Sequence, residues 1–275
     1  MRATQSGPVL IFLHLPKTGG RTLSRIIEHQ YGSNTILDLY QSSFGEELAT
    51  LPQRQLNHLR AIRGHFYFGA HTFLSRPSTY ITILRDPIDR VISHYYFVQR
   101  DPTHYLYRSS QEMSLRDYVI TCNLAEPNND QTRLLAGKDH ASRSGACSPE
   151  MLAAAKRNLR DHFAVVGLTE EFDRSLILIR RVLGWRHPFY MRQNVSSFRP
   201  RKEDIPDETL RVIQAYNELD CELYRYGKEL FQEQIRQQAA AFERELRIFK
   251  KVNAIYAKLH LLLAPSVGKL RARCM

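Results

Sequence analysis

A lysine, two adjacent glycines and two threonines follow a short apolar stretch near the start of the chain, where residues 16–22 read PKTGGRT. Residues 9–15 are apolar except for His14, which is typical of a parallel strand buried on both faces. Apolar residues then recur at helical spacing: Leu23, Ile26, Ile27 and Tyr31. A glycine turn between a strand and a helix directs unpaired backbone N–H groups outward, and Lys17 adds a positive charge. The stretch therefore predicts a binding site for a phosphate-like anion.

The order of residues in this turn excludes a Walker A loop, which needs four residues between its glycines and Gly-Lys-Ser/Thr at the helix start. Here Lys17 precedes both glycines, so it would meet an anion from the strand side. An ordinary connection between a strand and a helix also carries glycine. The turn alone therefore leaves anion binding and a purely structural role equally open.

A second stretch that could bind an anion begins at Arg85, directly after an apolar strand predicted at residues 80–84. Asp86 is a good N-cap residue, and Pro87 suits the first position of a helix. Ser93 falls on the side of this helix away from its apolar face, so a guanidinium and a hydroxyl can converge on one anion. The alternative is that Arg85 and Asp86 form a structural helix start and Ser93 is a solvated surface residue.

Together the two stretches resemble the cofactor motifs of sulfotransferases that use 3′-phosphoadenosine-5′-phosphosulfate (PAPS). The PKTGG turn resembles their 5′-phosphosulfate loop, and Arg85 with Ser93 resembles their 3′-phosphate motif. Residues 131–137, 166–172 and 220–227 resemble segments of the heparan sulfate 2-O-sulfotransferases and their bacterial relatives. The likeness extends over most of residues 9–227. One departure is Arg21, which stands where the family usually has Ser or Thr, with Thr22 next.

The resemblance implies an enzyme that transfers a sulfuryl group from PAPS to an acceptor hydroxyl by in-line displacement, without a metal. The acceptor would belong to a carbohydrate such as a glycan or glycolipid. The residues implied to bind PAPS are Lys17, Thr18, Gly19, Gly20, Arg21, Thr22, Arg85, Ser93 and Arg199, the last in a basic loop of weaker likeness. Lys17 would also act in catalysis, on the bridging or leaving oxygen.

A base must take the proton of the acceptor hydroxyl near neutral pH, which suits histidine. His65 is the first candidate, because it follows Gly64 as the base does in the 2-O-sulfotransferases that the sequence resembles. A histidine beside Phe66 and Tyr67 is otherwise more often a packed or surface residue. The reserve candidates are His71, His14 and Glu28.

Composition limits the class of partner and the compartment. Lys and Arg total 39 against 28 acidic residues, a net charge of +11 over 275 residues, which favours anionic partners. We expect a nucleotide and a glycan rather than nucleic acid. The cysteines (Cys122, Cys147, Cys221 and Cys274) are too scattered for a disulfide framework. Without a signal sequence or an apolar stretch of spanning length, the expected location is cytoplasmic.

Apolar strands at 9–15, 80–84 and 163–168 alternate with helical patterns, which predicts an α/β fold: a doubly wound parallel sheet with helices on both faces. The resemblance implies its P-loop nucleoside-kinase-like form. Residues 46–60 are predicted as a helix with a proline-marked start near Pro52, and residues 63–77 as a loop-rich stretch. We expect a sulfotransferase domain over 1–230 and a helical, basic C-terminal extension over 231–275.

The C-terminal extension carries lysines and arginines beside an apolar stripe. The stripe consists of Phe242, Leu246, Phe249, Val252, Tyr256 and Leu259. Its composition favours a packing or homodimer face over peripheral membrane contact but permits both.

Two other functions stay open. One is a P-loop-like ATP-dependent kinase, although Gly-Lys-Ser/Thr and a Mg²⁺-holding aspartate after a strand are missing. The other is a non-catalytic protein that binds nucleotides or sulfated glycans, which a buried and closed His65 region would favour.

Overall fold

The computed structural model describes residues 7–40, 44–121, 126–137, 147–186, 188–191, 200–238 and 241–271, with side chains described as far as residue 260. One five-stranded sheet has the order β2-β3-β1-β4-β5, and every neighbouring pair is parallel. The strands are β1 (Val9–Leu13), β2 (Ile36–Leu39), β3 (Ala61–Gly64), β4 (Ser78–Leu84) and β5 (Phe163–Leu168). The predicted α/β fold with a parallel sheet is confirmed.

Helices connect the strands and cover the sheet: α1 (Gly20–Tyr31), α2 (Phe44–Thr50), α3 (Gln53–His58), α4 (Pro87–Val98), α5 (Tyr107–Gln111), α6 (Leu115–Thr121), α7 (Asp130–Ala136), α8 (Pro149–His162), α9 (Phe172–Leu183), α10 (Asp207–Tyr216), α11 (Glu218–Arg236) and α12 (Ala241–Arg271). Successive residues of a strand face opposite sides of its sheet. In β5, Val166 packs against Gly227 of α11, whereas Gly167 packs against Ser175 of α9. Helices α9 and α11 therefore cover opposite faces, as predicted.

Two local predictions are wrong. Residues 46–60 form two short helices rather than one, because Pro52 lies between α2 and α3 and has no N–H for a helical hydrogen bond. The proline-marked helix start near Pro52 is confirmed, since α3 begins at Gln53. The stretch predicted as loop from residue 63 begins inside a strand, since Arg63 and Gly64 are the last residues of β3. A Cβ at Gly64 would lie 1.7 Å from the carbonyl oxygen of Leu39, so β2 and β3 can pair this closely only at a glycine.

Arg63 is a charged residue inside the sheet, and its hydrogen-bond partners explain why it is tolerated there. Its side chain is buried, and its Nε lies 2.6 Å from Oδ1 of Asp38 on β2. Its Nη2 lies 2.6 Å from Oε1 of Glu28 on α1. A buried guanidinium is stable only when such partners compensate its lost hydration. Arg63 therefore joins β3 to β2 and α1, and Glu28, a reserve candidate for the base, belongs to this ion cluster.

The C-terminal region packs on the same core as the sheet. Helix α11 runs without a break through residue 230, so the domain boundary expected there falls inside a helix. Phe231 on α11 and Phe242, Leu246 and Phe249 on α12 are buried with the strand residues. Within the part of the chain that the structure describes, no helix has the length and apolar character needed to cross a membrane.

Candidate active site

The carboxyl ends of β1, β3 and β4 meet at one edge of the sheet. In the parallel pairing, Leu13 of β1 lies opposite Gly64 of β3, so the residues that follow, His14 and His65, leave the sheet side by side. Arg85 follows the last residue of β4 at the same edge. Ligands of open α/β sheets bind at this carboxyl edge, where the strand order changes direction. The register therefore places the predicted anion turn, the predicted base and the predicted arginine together.

The turn between β1 and α1 is held from the protein side by hydrogen bonds to its carbonyl groups. The buried Thr18 hydroxyl donates to the oxygen of Leu15 at 2.8 Å. The Thr169 hydroxyl donates to the oxygen of Thr18 at 2.9 Å, and Nη1 of Arg85 donates to the oxygen of Lys17 at 2.9 Å. The turn's carbonyl dipoles are thus directed into the protein, which suits a loop that presents its N–H groups to an anion.

Helix α1 begins at this turn with the electrostatics of an anion site. Gly19 is its N-cap residue with φ of 81°, and no side chain among the described residues caps the helix or places an acid in its first turn. The first N–H groups of a helix have no intrahelical partners, and the helix dipole makes this end positive. A Cβ at Gly20 would lie 1.9 Å from Nε2 of His14, so only glycine lets the helix start against that imidazole.

The two residues after the glycines differ in exposure. The side chain of Arg21 is exposed, whereas Thr22 is buried and its backbone N–H donates to the oxygen of Gly19 at 3.2 Å. Where the resembled family usually has Ser or Thr, this chain therefore has an exposed guanidinium, and the nearest hydroxyl comes one residue later.

His65 has the geometry of a base in a defined tautomer. Its Nδ1 lies 2.6 Å from the carbonyl oxygen of His14, which can only accept a hydrogen bond, so Nδ1 carries the proton and Nε2 of the neutral ring has the lone pair. Burial and, to a smaller extent, the charge of Lys17 lower the pKa of His65, whereas the hydrogen bond to His14 raises it. The ring is half-buried, so the enclosed site that would favour a non-catalytic function is not observed.

The ring of His14 packs against the ring of His65. Its ring centroid lies 4.3 Å from that of His65, and its buried Nδ1 has no hydrogen-bond partner among the described residues. Burial, with the charges of His65 and Lys17, holds the pKa of His14 well below its ordinary value, so the ring is neutral. Tyr40, which directly follows β2, lies 5.3 Å from the His65 ring and is exposed. The sequence does not predict this position for Tyr40, because without β3 nothing places the end of β2 beside His65.

Lys17 reaches from the turn toward α4. Its Nζ lies 4.0 Å from the ring centroid of Phe97. Its φ of 68° is uncommon for a residue with a side chain, and such conformations concentrate at functional sites. The positive charge lowers the pKa of His65 on one side and, after burial and nearer charges, that of His94 on the other. Lys17 therefore lies between the His65 side of the site and α4.

Arg85 is held by an amide side chain for which the sequence predicts no role at the site. Its backbone N–H donates to Oε1 of Gln131 at 3.0 Å, and Nε2 of Gln131 donates back to its carbonyl oxygen at 3.0 Å. Asp220 in turn accepts the backbone N–H of Gln131 at 3.2 Å. Asp86 caps α4 as predicted, accepting from the N–H of Asp89 at 3.0 Å. Ser93 is half-buried on α4, and its joint binding of an anion with Arg85 stays a prediction.

Two candidates lie elsewhere. His71 is wrong as a base for this site, because its Nδ1 lies 3.0 Å from the hydroxyl of Tyr80, near the amino end of β4. Tyr80 and Arg85 are five residues apart along the strand direction, about 16 Å. Arg199, with most of its loop, lies outside the described residues. Within the described part of the chain, no three histidine, cysteine or acidic side chains are grouped to hold a metal ion; the expectation of a metal-free site stays a prediction.

Comparison with known proteins gives a family match over most of the chain. Residues 39–263 match the family described as galactose-3-O-sulfotransferase, a range that begins after the PKTGG turn. Heparan-sulfate 6-O-sulfotransferase 1-B of Danio rerio is 30% identical over 203 residues, which cover 62% of this chain and 48% of that protein. Galactose-3-O-sulfotransferase 3 of Mus musculus is 26% identical over 270 residues, which cover 86% of this chain and 59% of that protein.

The chain spans about half the length of the heparan-sulfate 6-O-sulfotransferases it matches, since the human 6-O-sulfotransferase 1 is covered over 47% of its length at 29% identity. Among solved structures, a mouse sulfotransferase complexed with PAP aligns over 88% of each chain with 16% identity and a TM-score of 0.38.

Proposed function

Because the chain belongs to the galactose-3-O-sulfotransferase family, we propose that it transfers a sulfuryl group from PAPS to a hydroxyl of a carbohydrate. One observation at the site carries the proposal: the register of β1 and β3 brings His65 beside the start of α1, where the turn holds Lys17. A general base, a fixed positive charge and an anion-binding helix end are the parts that such a transfer needs.

The turn suits the phosphosulfate end of PAPS. The first N–H groups of α1 would bind its anionic oxygens, and Gly19 and Gly20 let the backbone approach them closely. Arg85 and Ser93 would bind the 3′-phosphate, as the sequence resemblance implies. PAPS would supply the sulfuryl group together with a bisphosphate leaving group.

The chain's own residues would then position the acceptor and neutralise charge. Nε2 of His65 accepts the proton of the attacking hydroxyl, while the carbonyl of His14 holds the ring in the required tautomer. Lys17 supplies positive charge beside the turn, where the leaving oxygen becomes more negative. His14 is neutral and buried, so it adds no competing charge below the base.

The acceptor is proposed at the level of a carbohydrate hydroxyl. The matched family is named for galactose, and the relatives named above include enzymes named for heparan sulfate. The finer resemblance to 2-O-sulfotransferases stays a prediction, because those relatives are 6-O- and 3-O-sulfotransferases by name. The expected cytoplasmic location and the homodimer also stay predictions.

The test combines binding with transfer. We expect calorimetric titration to show that adenosine 3′,5′-bisphosphate binds more tightly than AMP or ATP, because only it carries the 3′-phosphate. Labelled PAPS, incubated with galactose-terminated glycans and with desulfated heparan sulfate, should then label at least one acceptor. Tighter binding of ATP with phosphoryl transfer would support the kinase alternative. Bisphosphate binding without transfer to any glycan would leave the non-catalytic alternative.

A further inference from the structure

Helix α12 exposes apolar side chains that the core does not use. Phe242, Leu246 and Phe249 of the predicted stripe are buried, which confirms packing for that half of it. A second row is exposed and includes Val252 and Leu259 from the other half of the predicted stripe: Ile248 by 53%, Val252 by 38%, Ile255 by 57% and Leu259 by 54%. These residues are spaced by four, three and four positions, so they share one face of the helix. Large apolar side chains gathered in this way on a surface indicate an interaction site.

Basic side chains form a second row along the same helix: Arg244, Arg247, Lys251 and Lys258, all exposed. At 3.6 residues per turn, this row lies about 80° around the helix from the apolar row. The acidic residues of α12 are turned toward α9 instead, where Glu243 pairs with Arg174 and Glu245 with Arg181. From residue 246 to residue 271 the sequence contains no acid. The exposed side of α12 is therefore apolar and positively charged.

We propose that this lipid face, the apolar row together with the basic row, binds the surface of a membrane that contains anionic phospholipids. A helix with these two rows lies in the plane of the interface, where its apolar side chains enter the headgroup region and its lysines and arginines contact the anionic headgroups. The helix lies on the bilayer and does not span it. The inference is independent of the proposed function, because no residue of the lipid face belongs to the site.

Charge complementarity favours a lipid surface over the other occupants. In a two-fold dimer through this face, each basic row would meet the same face of the second copy, which offers no acidic residue in return. A sulfated glycan would explain the basic row but would leave the apolar row in water. An anionic bilayer has a partner for both rows.

Vesicle flotation tests the proposal on the full chain. Vesicles of phosphatidylcholine and phosphatidylserine at about 7:3 should bind the protein at least tenfold more tightly than vesicles of phosphatidylcholine alone. Lys251→Gln with Lys258→Gln should weaken this binding by about thirtyfold. Ile248→Ser with Ile255→Ser should weaken it at least tenfold.

Exposed residues away from α12 provide matched controls, namely Ile120→Ser on α6 and Arg157→Gln with Arg211→Gln on α8 and α10. These variants should bind vesicles like the parent chain. All variants should bind adenosine 3′,5′-bisphosphate with unchanged affinity, which verifies the fold separately from the lipid face. Equal binding to both kinds of vesicle, equal losses in the controls, or a dimer in light scattering that Ile248→Ser with Ile255→Ser dissociates would overturn the proposal.

Discussion

Two pairs of histidines lie at opposite edges of the sheet, each beside a tyrosine. At the carboxyl edge, the ring centroids of His14 and His65 are 4.3 Å apart, and Tyr40 lies 5.3 Å from His65. At the amino edge, His71 and His162 are 5.0 Å apart, and the hydroxyl of Tyr80 lies 3.0 Å from Nδ1 of His71. Burial lowers the pKa of both His65 and His71. Residue type and pKa therefore do not separate the two pairs.

The two pairs differ in their position in the fold and in the hydrogen-bond partners of His65 and His71. The partner of His65 is a carbonyl, which leaves one tautomer, whereas the hydroxyl beside His71 can donate or accept and leaves both. His65 lies beside the start of α1 and the charge of Lys17, while His71 lines an open cavity of about 340 Å³ at the other end of β4. Position at the strand ends, more than side-chain chemistry, therefore distinguishes the proposed base His65 from His71.

The largest expected effect is the loss of the carboxyl-edge base. His65→Ala should lower the rate of sulfuryl transfer by about 10² to 10⁴, because the acceptor proton then has no base. His71→Ala is the matched control and should change the rate by less than about twofold. Bisphosphate affinity should stay near that of the parent chain in both variants. Equal losses of transfer would remove the functional difference between the two edges.

The pH dependence of the transfer rate should likewise depend on His65 and not on His71. The base must be neutral, so the rate should rise with pH through the pKa of His65 and then level off. Because burial lowers that pKa below 6.5, the midpoint of the rise should lie below this value. The rise should be absent in His65→Ala and retained in His71→Ala, as measured by kcat/KM against pH. A midpoint above 6.5 would contradict the assignment.

Lys17→Ala should come next in size. Removing one group that stabilises developing charge typically lowers kcat by about 10² to 10³, while binding of the bisphosphate product should weaken much less. Lys156→Ala is the control, because this lysine pairs with Glu222 of α11 away from the turn. Single-turnover transfer and calorimetry measure the two quantities. Equal losses in transfer and binding would make Lys17 a binding residue only.

Arg85→Ala distinguishes two roles of one guanidinium. A lost charge-assisted hydrogen bond to the 3′-phosphate should weaken bisphosphate binding at least tenfold and leave AMP binding almost unchanged. Nη1 of Arg85 also donates to the oxygen of Lys17. If that bond alone matters, affinity for AMP and for the bisphosphate should fall by the same factor. Competitive calorimetry with both nucleotides decides between the two.

The smallest effect concerns a hydroxyl at each edge. Thr169→Val removes the bond to the oxygen of Thr18 and should lower the free energy of unfolding by about 1 kcal/mol. It should also weaken bisphosphate binding a few-fold, because the turn loses one support. Thr72→Val removes a similar bond, to the oxygen of Gly69 near His71, and should affect stability alone. Equal weakening of nucleotide binding by both variants would show that the turn is not specifically supported.

Much of the fold could be predicted, because its strongest signals are local. The apolar strands at β1, β4 and β5 and the helix start at Asp86 were predicted within a few residues. Strand β3 was missed, since its sequence AIRG is short and contains a charge and a glycine. Its stability comes from partners distant in sequence, Asp38 and Glu28, which no local pattern shows.

The missed strand limited the prediction of the site. Without β3, nothing placed His65 beside His14, and His65 and His71 were distinguishable only through the family resemblance. With β3 paired to β1, the register Leu13 to Gly64 brings the two histidines together. The roles of Gln131 and Thr169 could not be predicted from the sequence either, because both act through hydrogen bonds to backbone atoms tens of residues away.

Thr169 also bears on how the protein is made. Four neighbouring strands of the sheet lie within the first 84 residues, but the fifth strand, which Thr169 directly follows, begins at Phe163. A chain leaves the ribosome from its N-terminus, so the first four strands can pair while the helices before β5 are still being synthesised. The Thr169 hydroxyl reaches the turn only after the fifth strand has been added. We therefore expect nascent chains that stop before residue 163 to collapse around an unfinished sheet and to bind nucleotide poorly, with recognition gained in the second half of translation.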